Sequence, residues 1–177
     1  PPPRPTKRDT AAMTIYRFDE SYDDAVAVIG MSLRAAGAQT ADDLWQIIND
    51  GTCTISTFTK EEQKTSNVSP ATMANPDYVP KAGIIDDIEM FDAGFFGFTP
   101  READCLPPQN RLLFECAWEA MENGGQNPRE GRGRTGLFVG QSTDTYWPTF
   151  VAPNIDDTDA GLSFYSNPDF LATGVAY

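Results

Sequence analysis

FDAGFFGFTPREADCLPPQNRLLFECAWEAMENGG, residues 91–125, sets an aromatic cluster, a capped turn and a long apolar helix back to back. Thr99-Pro100-Arg101-Glu102 carries a full helix-start signature. A threonine at the N-cap accepts from the third amide of the helix, proline suits the first turn, and the glutamate reaches back to the cap. A second helix is expected from Pro108. Leu112, Leu113, Cys116, Ala117, Ala120 and Met121 recur at helical spacing, and Phe114 and Trp118 widen that face. Arg111, Glu115, Glu119 and Glu122 mark a narrow polar side, and Gly124 is a natural stop. A helix this apolar is expected to be covered on most sides, as a layer between sheets. Nothing in the stretch looks equipped for chemistry, so it reads as scaffold for a site elsewhere.

Working outward, AVAVIGMS (25–32) is a continuous apolar run ending near a glycine. Such a run predicts a strand buried on both faces, as in a parallel sheet. Thr40 with Asp43 three residues on predicts a capped helix bearing Leu44, Trp45, Ile47 and Ile48 and ending at Gly51. Strand then helix opens an α/β layer structure. Residues 52–82 are polar and irregular and read as a surface excursion, and AGIIDDIEMFD as a short strand or turn. Asp86, Asp87 and Glu89 read as a solvated edge in preference to an acid–base pair, since nothing beside them would raise a carboxyl pKa. RTGLFVGQS (134–142) predicts a further buried strand. The GRGRTG before it, with Gly131, Gly133 and Gly136, matches a dinucleotide fingerprint only in spacing, because its glycines precede a strand where the fingerprint must follow one. NIDDTDAG (154–161) has Asp159 and Tyr165 where a calcium loop needs glycine and glutamate, so it reads as a solvated acidic loop. Asn167-Pro168 predicts a cap and first residue for a final helix.

A net charge of −13 argues against nucleic-acid or anionic-membrane surfaces, which need clustered Lys and Arg. The chain has no histidine, which removes Ser-His-Asp and Cys-His catalysis and His-ligated metals from these residues. Cys53, Cys105 and Cys116 are odd in number and lack CxxC spacing, so a reducing, cytoplasmic setting is expected. No apolar run is long enough to span a bilayer, and Asn67-Val68-Ser69 reads as a chance glycosylation triplet. PPPRPTKRDT at the start reads as a Pro-rich interdomain linker or an expression scar, giving a division into 1–22 and 23–177.

In this order, AVAVIGMS, DDLWQIINDG, IIDDIEMFDAGFFGFTPREADCLPPQNRLLFECAWEAMENGG and RTGLFVGQSTDTY resemble the N-terminal part of a β-ketoacyl synthase (ketosynthase) domain of a polyketide synthase. ATGVAY resembles the start of the helix before the family's nucleophile strand. Three positions depart from the pattern. Pro107-Pro108-Gln109 stands for Asp-Pro-Gln and Leu106 for a methionine-type residue, which puts a helix cap in question; Val175 stands for a frequent asparagine. NPDYVPKAGIIDDIEMFDAGFFG is similar to ketosynthases of hybrid nonribosomal peptide–polyketide lines, of the tenuazonic acid synthetase kind.

The resemblance implies a thiolase-like α/β fold of α-β-α-β-α layers, with only the N-terminal portion present, and a homodimer. It implies transfer of an acyl thioester onto a cysteine and C–C bond formation by decarboxylative Claisen condensation. Dieckmann-type cyclisation and release of a β-ketoacyl-aminoacyl thioester, or a non-catalytic structural partner, are the alternatives. The catalytic cysteine and both histidines are expected downstream of Tyr177, so no catalytic residue and no metal ligand is assigned within the chain. Gln141, Ser142, Thr143, Phe170 and Thr173 are the candidates for the substrate channel. No cofactor is expected to bind directly; phosphopantetheine would arrive on an acyl or peptidyl carrier protein. Arg129, Arg132 and Arg134 read as a solvated turn in preference to a carrier-docking patch.

Overall fold

The computed structural model describes residues 25–66, 68–130, 133–155 and 157–176. The linker reading of 1–22, and the readings that involve Asn67, Gly131, Arg132 and Asp156, lie outside or partly outside those residues. In chain order the elements are α1 (Ala41–Asp50), β1 (Ile55–Thr57), α2 (Lys60–Thr65), α3 (Pro70–Ala74), β2 (Lys81–Gly83), α4 (Pro100–Cys105) and α5 (Pro108–Asn123). A π-helical turn (Trp147–Val151), 3₁₀ segments (Ala152–Asn154, Asp157–Ser166, Pro168–Phe170) and α6 (Leu171–Ala176) complete them.

The caps form as the sequence implies. Thr40, Thr59 and Thr99 each accept from the backbone three residues on, and Asp43, Glu62 and Glu102 return to the cap amides. Gly51 closes α1 in the left-handed region at φ 65°. Asn167 caps the turn at Pro168 by accepting from the Asp169 amide. α5 is the exception: Pro107 at its N-cap offers no side-chain acceptor. Pro107 O accepts from the Asn110 amide (2.9 Å), and separately Leu106 O accepts from Arg111 Nε (2.9 Å).

The aromatic cluster folds back on α5. Asp92 Oδ1 accepts from the Phe95 amide at 3.0 Å, and Gly97 turns the chain at φ 79°, a left-handed conformation that side chains disfavour. Phe91 and Phe96 stack at 5.2 Å; Phe96 and Phe98 meet Phe114 edge-on at 5.7 and 5.2 Å, and Phe95 meets Trp118 at 4.7 Å. Edge-to-face pairs of this kind contribute about 0.5–1.5 kcal/mol each beyond their buried area. Arg129 sits over both Phe95 (5.1 Å) and Trp118 (5.3 Å), closing the cluster with a cation–π contact.

A second segment docks at the other end of the helix. Met31 N donates to Asn123 Oδ1, Ser32 Oγ donates to Glu119, and the Arg34 guanidinium grips the Glu119 carboxylate with both terminal nitrogens. The Arg34 hydrogen bond holds the Glu119 carboxyl below its ordinary range against the opposing effect of burial, whereas burial pushes Glu115 up. Gly30 passes so close to α5 that a Cβ there would lie 2.1 Å from the Ala120 carbonyl oxygen.

Three expectations are corrected. Residues 25–32 and 134–142 form no strand, and Val26 and Phe138 are 93% and 97% exposed. A strand is defined by its ladder, and among the described residues no neighbouring chain pairs with either segment. Among those residues the only sheet is β1 with β2, antiparallel, Ile55 opposite Gly83; β1 lies inside the stretch expected to be irregular, while β2 runs into the AGIIDDIEMFD read as a short strand or turn. Lastly, α5 is half-buried along its apolar face, not covered on most sides; the tightest burial lies at its start, at Cys105, Leu106, Asn110 and Arg111.

Two outcomes test this packing. Gly30→Ala should destabilise the protein by about 1–3 kcal/mol in urea unfolding, because the methyl would meet backbone that cannot yield. Glu119→Gln should cost stability at neutral pH, where the depressed carboxyl is ionised and paired. Wild type loses that advantage as pH falls below the ordinary glutamate value of 4.5 and through the depressed folded value, so the two unfolding curves should converge there.

Candidate functional site

Beyond the aromatic cluster, two polar nodes fix the segment that follows α5. Arg111 Nη2 donates to Tyr146 Oη (3.3 Å), and that hydroxyl donates to the Asp104 carbonyl (2.9 Å). Asn110 Nδ2 donates to Tyr165 O (3.0 Å), and Tyr165 Oη donates to Glu102 Oε1 (2.9 Å). Burial, with help from Glu102, pushes the Tyr165 phenol up to about 12. Tyr165 also packs edge-on to Phe98 at 5.8 Å, so this node is tied to the ring cluster. Residues 141–148 and 163–171 are thereby held against the α4–α5 corner.

Between them lies an open cleft of about 340 Å³. Gln141, Ser142, Thr143, Asp144, Trp147 and Ser166 line it, with Pro148 and Pro168 on its apolar side. Asp144 heads the π-helical turn: its Oδ1 accepts from the Tyr146 amide (2.8 Å) and its Oδ2 from the Trp147 amide (3.4 Å). A smaller cavity of about 220 Å³ adjoins it, lined by Gln109, Leu113, Gly140, Gln141, Ser142 and Leu171. Gln141 and Ser142 therefore belong to both spaces. Gln141 Oε1 and Asn110 Oδ1 are shielded from solvent and accept no hydrogen bond.

Of the five channel candidates, the structure brings Gln141, Ser142 and Thr143 together in the cleft wall. It does not bring Phe170 or Thr173 to either cavity: Phe170 is half-exposed with its ring against Phe164 (6.0 Å), and Thr173 is exposed on α6. Asp144, Trp147 and Ser166 were missed by the sequence reading. No motif marks them in the sequence: the turn at Trp147 starts without a side-chain cap, and Ser166 lies some twenty residues further on.

None of the cysteines lines either of these two cavities: Cys53 is exposed, Cys105 buried and Cys116 half-buried. Among the described residues no group of three His, Cys, Asp or Glu side chains is placed to hold a metal. Asp86, Asp87 and Glu89 are exposed on a turn, away from both cavities. No described helix is long and apolar enough to cross a membrane.

Comparison with known proteins places this geometry. Residues 23–177 match the family described as "Beta-ketoacyl synthase, N-terminal domain". A phenolphthiocerol/phthiocerol polyketide synthase of Mycobacterium tuberculosis is 35% identical over 165 residues, covering 88% of this chain. Erythronolide synthase EryA2 of Saccharopolyspora erythraea is 40% identical over 133 residues, covering 70%. The ketosynthase from module 1 of the bacillaene synthase of Bacillus amyloliquefaciens FZB42 superposes with a TM-score of 0.60 at 27% identity, over 85% of this chain. The chain spans 11% of the mycobacterial synthase, 4% of the erythronolide synthase and 27% of the bacillaene ketosynthase. The thiolase-like fold expected from the resemblance is thus borne out, for the N-terminal portion only. The chain belongs to the β-ketoacyl synthase family, as the N-terminal domain of a ketosynthase of the polyketide synthase kind.

Proposed function

We propose that these residues form the N-terminal portion of a ketosynthase domain that takes an acyl thioester onto a cysteine and extends it by decarboxylative Claisen condensation. The observation that carries this reading is the family match running through residues 23–177. The cleft at Gln141, Ser142 and Thr143 offers the acyl chain a wall held by the α4–α5 corner. In this reading a cysteine thiolate outside residues 1–177 attacks the acyl carbonyl and expels the pantetheine thiol. A malonyl thioester then loses CO₂ to give an enolate. The enolate attacks the enzyme-bound acyl carbonyl, and the cysteine leaves as thiolate. The acyl and malonyl groups arrive as phosphopantetheine thioesters on acyl or peptidyl carrier proteins, and two ketosynthases pair as a homodimer. The assembly line is polyketide or hybrid peptide–polyketide, in the cytoplasm.

Intact-mass analysis of the full-length protein with a butyryl N-acetylcysteamine thioester tests this. One butyryl adduct should appear, mapping to a cysteine outside residues 1–177, and added malonyl thioester should then give a β-ketoacyl product with one CO₂ per turnover. An adduct confined to Cys53, Cys105 or Cys116 would overturn the assignment of the nucleophile. Acylation without CO₂ release, with a β-ketoacyl-aminoacyl thioester closing to a ring, would replace condensation by Dieckmann cyclisation. No adduct on any cysteine would leave a structural partner.

A further inference from the structure

We propose that Tyr146 and Tyr165 are a pair of positioning residues that set the width of the 340 Å³ cleft, and through it the branching of the acyl chain that the site admits. This rests on the ketosynthase reading and concerns the selectivity of its substrate site. The cleft has two walls from separate stretches of chain, one drawn from residues 141–148 and the other from residues 166–168. In each, a tyrosine stands immediately before a lining residue: Tyr146 before Trp147, and Tyr165 before Ser166. Neither tyrosine lines the cleft itself. Their rings and hydroxyls face the scaffold behind it.

The two tyrosines are attached in the same way, each to both arms of the α4–α5 corner. Tyr146 Oη donates to the Asp104 carbonyl of α4 (2.9 Å) and accepts from Arg111 Nη2 of α5 (3.3 Å). Tyr165 Oη donates to Glu102 Oε1 of α4 (2.9 Å), and its carbonyl accepts from Asn110 Nδ2 of α5 (3.0 Å). Asn110 and Arg111 are consecutive, and successive side chains leave an α-helix about 100° apart, so one turn of α5 reaches both walls. Both are buried, which shields their hydrogen bonds from competing water. Gln109 and Leu113, on the same turns, line the smaller cavity next to the cleft. The separation of the walls is therefore set by one helical corner, and each tyrosine hydroxyl is a point at which it is set. Without its hydroxyl, Tyr146 would keep only ring contacts, with the Arg111 guanidinium 5.8 Å from its centroid. Tyr165 would keep the Asn110 bond and its edge-on contact with Phe98. Two opposed walls govern width more than depth: a linear chain runs between them, whereas a branch presses on both.

The test is a competition between 2-methylbutyryl and butyryl N-acetylcysteamine thioesters for the full-length protein, read as the ratio of the two adducts by intact mass. That ratio does not depend on how much of the protein is folded, so a merely structural loss leaves it unmoved. A carbon that a pocket refuses costs about tenfold or more, so Tyr146→Phe and Tyr165→Phe, each freeing one wall in part, should raise the branched share by about fivefold. Glu119→Gln, which loosens the opposite end of α5, should leave the ratio as in wild type. If a phenylalanine variant takes up neither group, Arg111→Lys and Asn110→Ala weaken the same attachments from the α5 side and are read in the same way. A ratio unchanged when either wall is freed, or changed as much in Glu119→Gln, overturns this inference alone. Acylation of the wild type by neither thioester overturns the ketosynthase reading and this inference with it.

Discussion

Phe114 and Trp118 are the surface on which the chain closes. One turn apart on α5, they receive Phe95, Phe96 and Phe98 from the preceding turn and, through Trp118, the guanidinium of Arg129 from the segment that follows. Phe98 in turn meets Tyr165, and Tyr165 is bonded to Glu102, the residue that caps α4. The cleft wall is therefore anchored to the ring cluster through Tyr165. A cluster of this kind supplies the apolar burial that isolated short helices cannot generate themselves.

The polar attachments divide the work differently. At the C-terminal end of α5 a single carboxylate, Glu119, gathers Ser32 and both terminal nitrogens of Arg34. At the N-terminal end a guanidinium, Arg111, donates to Leu106 O and to the Tyr146 hydroxyl, tying the start of the helix to the segment that follows it. Pro107 gives the first amides of α5 no side-chain acceptor, and its own carbonyl accepts from the Asn110 amide within the first turn.

Legibility followed the range of the interaction. Thr40, Thr99 and Asn167 act on amides two or three residues away, so their caps could be read from spacing alone. The run of apolar residues on α5 gave its length to within a residue. Residues 25–32 and 134–142 failed because β-branched and apolar content states only that a segment suits a ladder, not that a neighbour is present to form one. The pairing of β1 with β2 was hidden for the opposite reason: the strands are three exposed residues each, too short to show an alternation, and α2 and α3 lie between them. In the cleft, Gln141 to Thr143 came from the family resemblance. Asp144 and Trp147 became visible only once the π-helical turn placed them beside Ser166, which lies well beyond them in the sequence.

The grip of Glu119 on residues 32 and 34 spans 85 to 87 positions of chain. Each described cap can form as its own few residues leave the ribosome, but this attachment cannot begin until α5 has been made. Closing so long a loop is entropically costly, although the cost grows only with the logarithm of its length. Residues 31–34 are thus among the first described residues to be synthesised, and they are seated only once α5 exists.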